Sequence, residues 1–201
     1  MLVGREMTVD EVIKEVLRDK VFYETSGGGV TLSGGDPIVQ HIFSRELLKK
    51  CKAIGLHTAI ETSANCQWRT LASLLPVIDL VMMDIKHINL EKHGNATGVS
   101  NAKILENAVQ LSKANKPLIV RVPIIPGIND SAGEVEAIAE FVQEFPNLQY
   151  LELLPFHRLG EGKYFALGLE YPASHLVTPA KDKMKELARA ARKKGINVHE
   201  N

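Results

Sequence analysis

Gly27-Gly28-Gly29-Val30-Thr31-Leu32-Ser33-Gly34-Gly35-Asp36-Pro37 is the stretch whose reading decides the fold. Five glycines in nine positions bracket a short β-branched and apolar run, Val30 to Leu32. Glycine ahead of the run permits tight turning, and glycine after it lets the backbone meet a ligand with no side chain between. Asp36 adds a carboxylate and Pro37 stiffens the exit. The stretch therefore reads as a strand that delivers a bare, polar loop with one fixed negative charge. It brings no lysine, so it suits an ammonium or hydroxyl group better than a phosphate. Alone, it would read as an ordinary glycine-rich turn between a helix and a strand. The rest of the chain changes that balance.

Outward from this loop, strands and helices alternate. Thr8-Val9-Asp10-Glu11 has the form of a capping box, and Val9, Val12, Ile13, Val16 and Leu17 continue at helical spacing, predicting a helix to about Tyr23. A helix from about His41 to Ile54 is stopped by Gly55. A strand follows over His57–Ile60, ending in Glu61-Thr62, then a short helix around Trp68 to Leu75 and an apolar strand from Ile78 to Ile85. The segment from Ile88 to Val99 reads as a long loop. Beyond it come a helix from Ser100 or Asn101 to Ala114, a strand over Leu118–Val122, a helix from Ala132 to Phe145, and a strand over Leu148–Leu154. Arg158 to Pro172 reads as loop. Thr178-Pro179 reads as a cap and first-turn proline, and a short last strand is expected over Ile196–His199.

Strand then helix recurs five times at intervals of roughly 25–40 residues, the rhythm of βα units around a parallel sheet. The middle strands look apolar on both faces, as buried parallel strands do. With 201 residues the chain can bury one full core and is expected to form a single domain over 1–201. Lys plus Arg equals Asp plus Glu at 24 each, so charge gives no reason to expect nucleic acid or a membrane surface as partner. No apolar run approaches the ~20 residues of a membrane span. The opening Met1-Leu2-Val3-Gly4-Arg5-Glu6 is no secretory signal, and two cysteines, Cys51 and Cys66, make no disulfide framework or metal spacing. A cytoplasmic location is expected.

The informative polar residues are those at strand ends. Asp36, Glu61, Asp84 with Lys86, Arg121 and His157 all fall at or just beyond the C-terminal ends of successive strands. In a barrel-like βα protein that rim gathers ligands and chemistry. Each residue alone has a bland explanation: a capping aspartate, a solvated lysine, a paired arginine, a structural histidine. Together they describe a pocket of alternating charge, suited to an amino acid joined to a nucleoside.

Four motifs carry a resemblance. The run from Ser26 to Pro37 resembles the signature of glycyl-radical-enzyme activating enzymes, the group typified by pyruvate formate-lyase activating enzyme. Asp79-Leu80-Val81-Met82-Met83-Asp84-Ile85-Lys86-His87 is similar to a second family motif, and the run from Arg121 through Pro126-Gly127 to Asp130 to a third. Leu153-Leu154-Pro155-Phe156-His157-Arg158-Leu159-Gly160 is similar to a fourth, continued by Gly162-Lys163-Tyr164 and Leu167 to Tyr171. The resemblance implies a radical S-adenosylmethionine enzyme on a partial (βα) TIM-like barrel. Carried over by position, Gly34, Gly35, Asp36 and Pro37 form the loop that meets the methionine amino group, with Asp36 where the family usually has Glu. Glu61 and Thr62 match an acidic-Thr pair near the methionine end. Asp84 and Lys86 match residues at the ribose and carboxylate, and Arg121 and His157 line the same pocket. Glu61, Thr62, Met82 and Asp84 resemble a monovalent-cation site. The implied partners are a glycyl radical enzyme and, as electron donor to the intact protein, flavodoxin or ferredoxin.

One departure stands out. The family holds a [4Fe-4S] cluster on Cys-x3-Cys-x2-Cys, and thiolates are what bind such clusters. Cys51 and Cys66 lie 15 positions apart and cannot form that motif. The expectation is a barrel lacking its first strand and cluster loop, with no residue here acting as acid or base. Two other readings remain open: a cofactor pocket or partner-docking module without turnover, and a βα-barrel enzyme using the glycine loop for a phosphate.

Overall fold

A computed structural model describes residues 4–200. Six strands form one sheet: β1 (Gly29–Leu32), β2 (His57–Thr62), β3 (Leu80–Asp84), β4 (Leu118–Ile124), β5 (Leu148–Pro155) and β6 (Val198–Glu200). All five pairings are parallel and the spatial order is the chain order. Each connection thus steps one strand in the same direction. Crossovers of one hand then put every intervening helix on the same face of the sheet. This is a singly wound arc, the arrangement of a partial TIM-like barrel. A dinucleotide-binding fold would instead reverse its strand order partway.

The helices are α1 (Val9–Val16), α2 (Lys20–Ser26), α3 (His41–Ala53), α4 (Trp68–Ala72), α5 (Leu90–Thr97), α6 (Ala102–Ser112), α7 (Ala132–Val142), α8 (Glu161–Ala166) and α9 (Lys181–Arg192). Alternation along the strands sends neighbouring side chains to opposite faces. Ile60, Val81, Met83, Val120, Val122, Leu151 and Leu153 point to the helix side and are wholly buried, in one cluster with Leu48, Leu71, Ile104, Leu111, Ile138 and Leu187. A smaller cluster of Leu47, Cys51 and Leu56 is covered by Val12, Val16 and Phe43. The other, concave face carries Glu61, Met82, Asp84, Arg121 and Glu152, all partly exposed. The expectation that the middle strands are apolar on both faces therefore holds only for the helix side.

Four local expectations are corrected. The segment expected as loop from Ile88 to Val99 contains α5, whose N-terminus is capped by Asn89 accepting from the Lys92 N–H at 2.9 Å. Arg158 to Pro172 contains a 3-10 turn and α8. Thr178-Pro179 does not start the last helix: α9 begins at Lys181 behind Ala180, which has no side chain able to cap it. The capping box at Thr8 is present, with the Thr8 hydroxyl and Glu11 carboxylate serving each other's backbone N–H groups. The first predicted helix is broken by a 3-10 turn at Leu17–Asp19. No helix among the described residues is long and apolar enough to cross a membrane.

Candidate functional site

Two glycines make the first loop possible. A Cβ at Gly29 would come within 2.0 Å of the His57 carbonyl oxygen, so only glycine lets β1 lie this close to β2. Gly34 has φ of 101°, a conformation that side chains disfavour, and nothing lies near where a Cβ would be at Gly34 or Gly35. The loop is open as well as bare.

Asp36 fixes this loop to the end of β2. Its carboxylate accepts from the Thr62 hydroxyl at 2.8 Å, from the Ser63 hydroxyl at 2.8 Å and N–H at 3.0 Å, and from the Ile38 N–H at 3.2 Å. Pro37 and Ile38 are buried behind it. With both oxygens engaged, Asp36 acts as the anchor that shapes the Gly34-Gly35 backbone. Thr62 is buried and also accepts from the Ala64 N–H at 2.8 Å, so its hydroxyl serves the same anchor.

On the concave face a row of charges crosses the strands. Arg121 Nη1 reaches over β3 to Glu61 at 2.5 Å, and its Nε bonds Glu152 at 2.8 Å. Glu61 also accepts from the Ser33 hydroxyl, which ties the row to the glycine loop. Register places Arg121 beside both Asp84 and Glu152. Burial disfavours the charged guanidinium, but Glu61 and Glu152 outweigh it and raise the Arg121 pKa. Asp84 accepts from Lys86 Nζ at 3.0 Å.

The strands being parallel, the glycine loop, Glu61, Thr62, Asp84 and Lys86 lie toward their C-terminal edge, whereas Arg121, expected at a strand end, sits mid-strand with Glu152 because β4 runs on to Ile124. Gly34, Gly35, Asp36, Pro37 and Thr62 are brought together directly, as are Glu61 and Arg121, and Asp84 and Lys86. His157 follows β5 on the same edge but is exposed and accepts from the Leu159 N–H at 3.3 Å. No hydrogen bond among the described residues joins it to the other candidates. Of the four residues resembling a cation site, Glu61 and Met82 are register partners, while Thr62 pairs with Met83 and Asp84 with Arg121; the Glu61 carboxylate is held by Arg121 and Ser33, and Thr62 is turned to Asp36.

Sequence reasoning missed Ser33, Ser63, Glu152 and Asn129. The fully buried Asn129 donates to the Lys86 and Pro123 carbonyls at 2.8 Å each and accepts from the Ile125 N–H at 2.7 Å, locking together the loops after β3 and β4. In the helix layer, Glu134 at the start of α7 receives Lys92 at 2.6 Å, Ser131 at 2.8 Å and His87 at 3.2 Å. The His87 Nδ1 accepts from the Asn89 N–H, so its Nε2 is the donor to Glu134. Burial pushes the Glu134 pKa up, but these donors outweigh it and lower it to about 2.

A cluster has no home on the two cysteines. Cys51 is buried in α3 against the smaller core, while Cys66 follows the Ala64 turn. Burial pushes both thiols up in pKa, away from the thiolate form that iron needs. Among the described residues no group of three or more His, Cys, Asp or Glu side chains could hold a metal ion.

A domain of pyruvate-formate lyase-activating enzyme from Bacteroides vulgatus superposes on 87% of this chain and 99% of its own, with a TM-score of 0.72 at 24% identity. A radical SAM methyltransferase from Sphaerobacter thermophilus gives a TM-score of 0.74 at 14% identity, over 99% of this chain and 59% of its own. At these identities the likeness speaks to the fold. The model of the radical SAM superfamily matches residues 2–142. In sequence, the chain is 42% identical over 170 residues to the (2S)-3-sulfopropanediol dehydratase activating enzyme of Klebsiella oxytoca, covering 84% of this chain and 54% of that protein. It is 40% identical over 192 residues to the pyruvate formate-lyase-activating enzyme of Staphylococcus epidermidis, covering 92% and 76%. The chain thus belongs to the radical SAM superfamily and, within it, to the glycyl-radical-enzyme activating enzymes. It spans about half the length of the Klebsiella relative.

Proposed function

We propose that this chain forms the S-adenosylmethionine pocket of a cytoplasmic glycyl-radical-enzyme activating enzyme. The whole protein would cleave S-adenosylmethionine reductively and take a hydrogen atom from a backbone glycine of a partner enzyme. Flavodoxin or ferredoxin would supply the electron to that protein. The observation that carries this reading is the charge row Glu61–Arg121–Glu152 beside Asp84–Lys86, tied through Ser33 to a bare glycine loop anchored by Asp36.

The work of these residues is binding and orientation. The open backbone of Gly34 and Gly35 suits the ligand's ammonium, which carbonyl oxygens can accept. Lys86 and Arg121 are the cations available to its carboxylate, and Asp84 is an acceptor for a ribose hydroxyl. His157, past the end of β5, would flank the nucleoside end. No proton transfer is asked of any of them. Cys51 and Cys66 do not fit a [4Fe-4S] cluster, so its thiolates are proposed to come from residues other than these two.

A second reading has an observation of its own. The same unsuited cysteines favour a pocket or docking module that binds S-adenosylmethionine without turning it over. Calorimetry on the 201-residue chain tests the shared core of both readings. S-adenosylmethionine should bind, and a sugar phosphate should not, because the glycine loop brings no lysine to meet a phosphate. Binding of the phosphate alone would overturn both. Iron and sulfide analysis after anaerobic reconstitution, with electron paramagnetic resonance of a glycyl radical enzyme mixed with the chain, separates the two readings. A loaded cluster and a glycyl radical would remove the second.

A further inference from the structure

Ala64 is the one non-glycine residue with a positive φ among the described residues, at 54°, and it is wholly buried. A side chain in the left-handed region crowds its own backbone, so something must hold the turn there. The turn follows directly on Thr62 and Ser63, whose hydroxyls and the Ser63 N–H all bond Asp36. A change of backbone direction at Ala64 would carry these donors away from that carboxylate.

What holds the turn comes from outside it. Asn107 lies on α6, 43 residues further along the chain, and is 3% exposed. Its Nδ2 donates to the Ala64 carbonyl at 2.7 Å and to the Cys66 carbonyl at 2.9 Å. Within the turn, the Cys66 N–H reaches the Ala64 carbonyl at 2.9 Å and the Ala64 N–H reaches the Thr62 hydroxyl at 2.8 Å. One buried amide thus grips both carbonyls that flank the bend. Its neighbours on the buried side of α6 include Ile104, Ala108 and Leu111, where an apolar residue would be the ordinary choice. Burying an amide is costly unless it is bonded, and the bonds it makes are to this turn.

We propose that Asn107 is a positioning residue for the glycine loop: its amide holds Ala64 in the left-handed conformation, and Ala64 in turn sets Thr62 and Ser63 against Asp36. Gly34 and Gly35 take their shape from the far end of this chain of bonds. The role rests on the S-adenosylmethionine pocket proposed above, whose ammonium contact is the Gly34-Gly35 backbone.

Glycine separates this role from packing. It adopts a left-handed φ freely, so a turn carrying Ala64→Gly no longer needs the amide. It also removes a buried methyl, so it cannot mend a packing defect left by Asn107→Ala. Calorimetry on the 201-residue chain measures Kd for S-adenosylmethionine in the wild type, Asn107→Ala, Ala64→Gly and the double variant. Asn107→Ala should weaken binding about tenfold, the equivalent of the cost of a left-handed side chain. Ala64→Gly alone should stay within about twofold of the wild type, and the double variant should recover most of the loss. A double variant as weak as Asn107→Ala, or weaker, would mark Asn107 as merely structural and overturn the inference, as would full affinity in Asn107→Ala. If a thermal melt shows that Asn107→Ala alone does not fold, Asn107→Ser takes its place in the same comparison, with the same outcomes deciding. Failure of the wild type to bind S-adenosylmethionine would instead strike the proposed function. The amide resonances of Gly34 and Gly35 then carry the test, since they should shift in Asn107→Ala and return in the double variant without any ligand. Resonances that do not move in Asn107→Ala, or that stay shifted in the double variant, would overturn the positioning role.

Discussion

The two faces of one sheet show what burial permits. On the helix side, Ile60, Val81, Val120, Val122 and Leu153 are fully covered and the core is hydrocarbon. On the concave side, the residues between them in sequence are Glu61, Met82, Asp84, Arg121 and Glu152. A one-residue alternation thus separates a layer that holds the fold together from a layer that carries charge. Parallel sheets are commonly covered on both sides, with apolar strands throughout. Here charges stand where a second apolar layer would otherwise pack, and two carboxylates share one arginine. Such a face is poorly suited to serve as core.

Truncation on the two faces should therefore cost different things. Leu153→Ala on the helix side should lose roughly 3–4 kcal/mol, since a wholly buried leucine leaves a cavity. Urea denaturation should show a lower midpoint at nearly unchanged slope. A loss under about 1 kcal/mol would mean that the helix layer collapses around the gap.

Glu134 in the helix layer tests whether a charge is tolerated there only when fully served. Its folded pKa of about 2 lies below the ordinary 4.5. Its contribution is complete above pH 4.5 and is lost as the pH falls toward 2. The shift corresponds to a ceiling of about 3 kcal/mol. The urea midpoints of wild type and Glu134→Gln should differ most near pH ~6 and converge near pH ~2.5. A gap that stays constant would show that the carboxylate is not the source.

Arg121→Met on the concave face removes the cation between Glu61 and Glu152. We expect a cost of about 2 kcal/mol at pH ~7, below the full penalty of a broken buried pair because Arg121 is 20% exposed. Urea denaturation should show the loss as a lower midpoint. A midpoint matching the wild type would show that the two carboxylates do not depend on this cation. Smallest of all, Thr8→Ala removes a cap remote from both faces and should cost roughly 1 kcal/mol, read by thermal melting.

The fold was largely legible because parallel strands are short, apolar and punctuated by glycine and proline. The first loop of the site was legible for the same reason, since Gly34-Gly35-Asp36-Pro37 is written consecutively. What escaped reading depended on pairing across strands. Glu152 in Leu151-Glu152-Leu153 looks like an outward-facing charge, and only the β4–β5 register sets it against Arg121. Asn129 looks like a turn residue until its side chain is seen bonding two loops. α5 was hidden because Leu90–Thr97 carries Gly94 and buries only His93, leaving no apolar stripe to read. α8 is six residues with nothing buried, so its sequence has no pattern of burial to display.

Asn129 couples the residues around it in time as well as in space. Because one buried amide joins the backbone at Lys86 to that at Pro123 and Ile125, the two segments cannot open independently. Their slow amide exchange should proceed at a common rate, and the lysine at the pocket should relax in step with a loop more than thirty residues away along the chain.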